Sequence, residues 1–129
     1  MKILLDAHTL IWFLEDNPKL NLFAKNEIEK TRNQCFVSIA SLWEISIKVS
    51  LGKLELKYNF SKLFDFCQES DIKILPILSK HLEQLLHLDF HHKDPFDRLI
   101  IAQAKSEKMT IISKDENFGK YKDVEVVWE

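Results

Sequence analysis

Residues 2–6 read Lys2-Ile3-Leu4-Leu5-Asp6, and this stretch decides the fold. Its apolar part shows no polar alternation, as expected of a strand covered on both faces, and a carboxylate closes it. Helical spacing follows at Leu10, Phe13 and Leu14 and ends at Asn17-Pro18. The same succession recurs along the chain. Residues Asn21–Thr31 predict an amphipathic helix, and Cys35-Phe36-Val37 a second short strand. Ser38 is an N-cap for a helix running to Leu51, with Gly52 as its C′ residue. Ser61 is set to cap a helix through Cys67, and Ile72-Lys73-Ile74-Leu75 is a strand stopped by Pro76. Ser79 is set to cap a helix through Leu88. Asp89–Lys93 is a polar connection, and Asp94-Pro95 opens another helix with proline at its favoured first position. Thr110–Ser113 and Val124–Trp128 are the last strands. Strands alternating with helices predict a mostly parallel sheet of about five strands with helices on both faces. No repeat, low-complexity stretch or linker divides the chain, so residues 1–129 are expected to form one domain.

Composition narrows the class. The 129 residues are 46% hydrophobic and 29% charged, with a formal net charge of −2, which fits a folded domain and not a disordered chain. Such a charge leaves no global nucleic-acid footprint, so a basic binding surface has to be local. Cys35 and Cys67 are far apart in apolar contexts and are expected to be small buried hydrophobes. This argues for a reducing compartment and against a disulfide scaffold or a thiolate zinc site. No signal peptide or transmembrane run is legible, so a soluble cytoplasmic protein without membrane contact is expected.

The chemistry lies in the acids. Asp6 closes the first strand, Glu44 sits inside the apolar Ile39–Leu51, Asp94 and Asp97 open a helix, and Asp115 follows the strand ending near Ser113. A carboxylate in apolar surroundings is costly unless it is paired or binds a cation. Several converging carboxylates without matching lysines read as a site for hard divalent metal. In parallel α/β sheets, sites lie at the carboxyl ends of strands, where Asp6 and Asp115 fall. The acids are expected to meet in one crevice, close enough to share cations.

Each acid also has a plainer reading. Asp6 can cap the next helix, although Thr9 stands nearer the first helical apolar residue. Glu44 can pair with Lys48 in the favourable i,i+4 orientation, but its helix is apolar nearly all round and expected to be covered. Asp94, Pro95 and Asp97 make a capping-box-like start, which accounts for much of Asp94. Asp97 shares its stripe with Ile100, Ile101 and Ala104 and should point toward the core side. Asp115 alone is an ordinary turn residue. His91 and His92 precede Asp94 as loop residues that can also reach an anionic substrate, and no histidine pair has zinc spacing. Trp12, Trp43 and Trp128 read as core or interface, not as a base-stacking platform.

Together, Leu4-Leu5-Asp6-Ala7-His8, Ser41-Leu42-Trp43-Glu44, Asp94-Pro95-Phe96-Asp97-Arg98-Leu99-Ile100-Ile101-Ala102 and Ser113-Lys114-Asp115-Glu116-Asn117-Phe118 closely resemble the PIN domain, and more narrowly VapC-type toxins. The resemblance runs in order over nearly the whole chain. It implies a Rossmann-like three-layer α/β/α domain with metal-dependent ribonuclease activity. Asp6, Glu44 and Asp97 match the three central acids, Asp115 the more variable fourth, and Asp94 a subgroup pattern. Mg²⁺ or Mn²⁺ held by these carboxylates would act on an RNA phosphodiester. A homodimer and a small inhibitory antitoxin are implied as well. Arg98, Lys114, His91 and His92 lie nearest the acids in sequence and are the expected RNA contacts, with Arg98 alternatively bracing the helix start. Two rivals stay open. Asp6-Ala7-His8-Thr9 faintly resembles aspartyl-phosphate phosphatases of the haloacid dehalogenase type, with His8 in place of their second aspartate, and an idle binding module would keep the fold alone.

Overall fold

The computed structural model describes residues 1–129. Strand β1 (Lys2–Leu5) leads into α1 (Ala7–Leu14) and α2 (Leu22–Glu29), then β2 (Gln34–Ser38), α3 (Ile39–Ser50) and α4 (Phe60–Glu69). Strand β3 (Ile72–Leu75), α5 (Ser79–Leu86), α6 (Pro95–Glu107), β4 (Thr110–Ile112), a 3-10 turn (Glu116–Lys120) and β5 (Val126–Val127) complete the chain. All neighbouring strands are parallel, in the order β3-β2-β1-β4-β5.

The central strand explains its own composition. Ile3, Leu4 and Leu5 are fully buried because alternate side chains enter different cores. Ile3 and Leu5 join Leu10, Ala24, Leu42 and Leu63 from α1–α4 on one face. Leu4 packs with Ile100, Ile101 and Ala104 of α6 and with Phe118 on the other. The result is three layers, α/β/α. Leu5 pairs with Val37 on one side and Ile112 on the other, so three strand ends lie side by side where the strand order reverses.

Several helix starts differ from the sequence expectation, and capping explains them. Helix α1 begins at Ala7 rather than near Leu10, because Asp6 accepts from the Thr9 backbone N–H at 2.9 Å. Helix α4 begins at Phe60, with Asn59 and not Ser61 at its cap position. Helix α5 begins at Ser79 itself, with Leu78 at its cap position: the Leu78 N–H donates to His81 Nδ1 at 3.0 Å, a bond from the N-cap backbone to the N3 side chain. Ser38 caps α3 as expected, and Gly52 takes φ +70° just past its end, a conformation that suits a residue without Cβ. Strand β5 is shorter than the run Val124–Trp128. Cys35 and Cys67 are buried free thiols, both pushed up to about 11 by burial and therefore unreactive. No helix is long and apolar enough to cross a membrane.

Candidate active site

Asp6 sits where β1 ends, between the ends of β2 and β4, and is only 7% exposed. Both of its carboxylate oxygens are engaged. Oδ1 accepts from the Thr9 N–H, and Oδ2 accepts from the Ser113 hydroxyl at 2.5 Å. Ser113 Oγ in turn accepts from the Asp115 N–H at 3.0 Å, while Thr9 Oγ1 donates to the Ile112 carbonyl at 3.2 Å. The ends of β1 and β4 are thus laced together by hydroxyl groups. Beside them lies a crevice of about 200 Å³ lined by Asp6, His8, Thr9, Trp12, Lys114 and Asp115.

Asp97 stands in the first turn of α6, where Asp94 Oδ1 accepts from the Phe96 and Asp97 N–H groups. Burial first, and then the charges of Asp94, Asp115, Glu44 and Asp6, push the Asp97 carboxyl up to about 7. The other four acids are therefore near enough to act on Asp97 through their charge. They do not form a finished cage: no three Asp, Glu, His or Cys side chains are close enough to hold one ion in this conformation. Three carboxyl groups do not share one ion position in this conformation. The cause is local, because each acid has its own engagement. Asp94 and Asp115 cap the segments that follow them, Asp6 caps α1, and Glu44 pairs with Lys48 at 3.1 Å. The plainer readings of Asp6 and Glu44 are both realised, and a capping or paired carboxylate remains a hard oxygen donor.

Behind Asp97 runs a chain of side chains. The Arg98 guanidinium donates to Tyr121 Oη at 3.3 Å, Tyr121 Oη contacts His92 Nδ1 at 3.0 Å, and His92 Nε2 lies 3.4 Å from Asp97 Oδ2. His92 Nε2 is buried and makes no hydrogen bond, so its approach to Asp97 is a close contact at the end of this chain. Arg98 is corrected by this geometry. It is 6% exposed, donates to the Leu88 and Asp89 carbonyls, and lies 3.8 Å from the centroid of the Phe90 ring. It presents no free edge to RNA and pairs with neither Asp94 nor Asp97. Its neighbour in the sequence expectation, Lys114, is exposed and lines the acid crevice. His91 is exposed, packs edge-on against Tyr121 and lines a different cavity.

Sequence reading missed Ser113, Tyr121 and His8 as parts of the site. Ser113 carries a signal, since it directly follows β4 much as Ser38 closes β2, a small hydroxyl at a strand end. Tyr121 carried none, because only tertiary packing brings it under His92. Of the two readings of Trp43, core or interface, its 59% exposure removes the core one, and its ring centroid lies 5.2 Å from that of Phe96. The core positions of α3 are taken by Leu42 and Ile45, which turns Trp43 outward.

A family model described as PIN domain matches residues 3–124, a span that contains all five acids. Solved structures share the fold. The chain is 17% identical to one in VapBC2 from Rickettsia felis bound to a promoter DNA fragment, with TM-score 0.74 and full coverage of both chains. FitAcB from Neisseria gonorrhoeae gives 20% identity, TM-score 0.65 and coverage of 96% of this chain and 95% of the other. VapBC-1 from nontypeable Haemophilus influenzae gives 15% identity, TM-score 0.70 and coverage of 98% and 97%. A comparison with curated proteins gives no match.

Proposed function

On the premise that this chain belongs to the PIN-domain family, we propose that residues 1–129 form one domain acting as a metal-dependent endoribonuclease, the toxin of a toxin–antitoxin pair. The observation that carries the reading is the position of Asp97, raised to about 7 by burial and by four neighbouring carboxylates. Such surplus negative charge at a strand-end crevice is relieved by a divalent cation. The donors are all oxygens, which suits Mg²⁺ or Mn²⁺ and not zinc. Asp6, Glu44, Asp97 and Asp115 would hold the ion, with Asp94 serving chiefly as the cap that aims Asp97. A bound ion supplies charge neutralisation at the phosphate and a more acidic water.

The remaining work falls to the chain. Ser113 and the Thr9 N–H hold the Asp6 carboxylate in one orientation. His92 stands 3.4 Å from Asp97, and Tyr121 with Arg98 positions His92. Glu44 has to leave Lys48, or share it, to contribute an oxygen. A cytoplasmic homodimer neutralised by a small antitoxin belongs to the same reading, since the similar solved structures are VapBC and FitAcB assemblies.

An aspartyl-phosphate phosphatase is disfavoured by one observation. Both oxygens of Asp6 accept hydrogen bonds, which stabilises the carboxylate and lowers its nucleophilicity while leaving lone pairs for an ion. The test is cleavage of single-stranded RNA by the purified chain with Mg²⁺ or Mn²⁺. Activity should vanish with EDTA and in Asp6→Asn and Asp97→Asn, with no covalent phosphoryl-enzyme. Undiminished cleavage by either variant overturns the assignment, and alanine at every acid without consequence would leave an idle binding module.

A further inference from the structure

Resting on the ribonuclease reading, we propose that the cavity of about 360 Å³ between α6 and the 3-10 turn receives a phosphate of the RNA strand flanking the one that is cut. Its wall carries Lys105, Lys120, Lys122, His87 and His91 against only two acids, Asp89 and Asp123. Lys105 is committed to Asp123 at 3.1 Å. Lys120 and Lys122 make no ion pair and no side-chain hydrogen bond, so their charge is left for a ligand.

Position connects the cavity to the acids. Tyr121 lines it, and the same tyrosine hydroxyl holds His92, which touches Asp97. Cavity and acid site are therefore connected through Tyr121 and His92. A polyanion approaching five clustered carboxylates on a chain of net charge −2 needs local cations. Arg98 is buried and Lys48 is held by Glu44, whereas Lys114 lines the acid crevice and Lys120 and Lys122 line the neighbouring cavity with their charges free.

The test uses the full chain carrying Asp97→Asn, which blocks cleavage, and a fluorescently labelled single-stranded RNA. Binding is titrated across a range of KCl concentrations, with and without the added pair Lys120→Gln and Lys122→Gln. Each lost single-strand phosphate contact should flatten the slope of log K against log salt by about 0.7. The pair should therefore lower both slope and affinity, while Lys2→Gln with Lys62→Gln changes neither. In the cleaving wild-type background the same pair should raise KM and spare kcat. Inorganic phosphate is the second probe: if it binds through Lys120 and Lys122 while the RNA slope stays at the wild-type value, the cavity serves free phosphate and the proposal is overturned. An unchanged slope and affinity overturn it as well, with ribonuclease activity intact. A wild-type chain that neither binds nor cuts RNA overturns the functional reading and this inference together.

Discussion

The Ser113 hydroxyl donates to Asp6 Oδ2 at 2.5 Å across 107 positions of sequence. Ser113 is 2% exposed, so this bond forms away from solvent and fixes one oxygen of an acid whose other oxygen already caps α1. An acid pinned at both oxygens has one rotamer, which is what a reproducible ligand position requires. Ser113→Ala should lower metal-dependent activity about tenfold or more, the range for partners that orient ligands, and cost about 1 kcal/mol of stability. Activity against Mn²⁺ concentration, together with a urea titration, reads both effects. Wild-type metal dependence in the variant would assign Ser113 to stability alone.

Asp97 supplies a pH dependence. In the folded chain its carboxyl is held at about 7, against an ordinary value of about 3.9 in the unfolded chain. Between these values the folded state keeps a proton that the unfolded state gives up. Stability from this group is therefore fully present below about pH 4, is lost as pH rises through 7, and is level beyond. With allowance for solvent screening the loss is about 1–2 kcal/mol. In EDTA, Asp97→Asn should show a shallower decline in urea midpoint from pH 5 to pH 8 than wild type. Excess Mg²⁺ should restore wild-type stability at pH 8 more than it helps the variant.

Arg98 should behave as a structural residue with a remote effect on Asp97. Arg98→Ala leaves the buried Leu88 carbonyl and the part-buried Asp89 carbonyl without their donor and removes the support of Phe90, which should cost about 2–3 kcal/mol. Lysine should not rescue it, because one ammonium cannot serve both carbonyls and Tyr121 in a planar fork. The salt slope of RNA binding should stay at its wild-type value in any fraction that folds. A flattened slope would return Arg98 to the substrate.

Lys48 is the counter-charge of Glu44. Lys48→Met should release that carboxylate and raise Mn²⁺ affinity about twofold, the size of an i,i+4 pair, while lowering the stability of the metal-free protein by about 0.3–0.5 kcal/mol. Calorimetric titration with Mn²⁺ and a paired urea titration check the two opposite signs. Equal or weaker Mn²⁺ binding would mean that Glu44 does not contribute to the ion.

Residues 2–6 were enough to call for a strand buried on both faces, and the alternation of such runs with helical spacing was enough for a parallel three-layer fold. Those signals are local: side chains alternate on a strand and repeat every 3.6 residues on a helix whatever else the chain does. The acids were legible for the same reason, as charged residues placed at the ends of apolar runs. Their engagements were not. Whether Glu44 keeps Lys48 depends on how far α3 is exposed, and whether Asp97 stays protonated near pH 7 depends on four carboxylates from three other elements and its own cap. Arg98 looked like a substrate contact because it follows Asp97, yet the packing of the Asp89–Lys93 connection over α6 buried it under Phe90. Sequence proximity orders residues along one element, whereas the partner of a buried charge is chosen by whichever groups the folded layers bring within hydrogen-bond reach. That choice joined Ser113 to Asp6, and only the tertiary structure could make it.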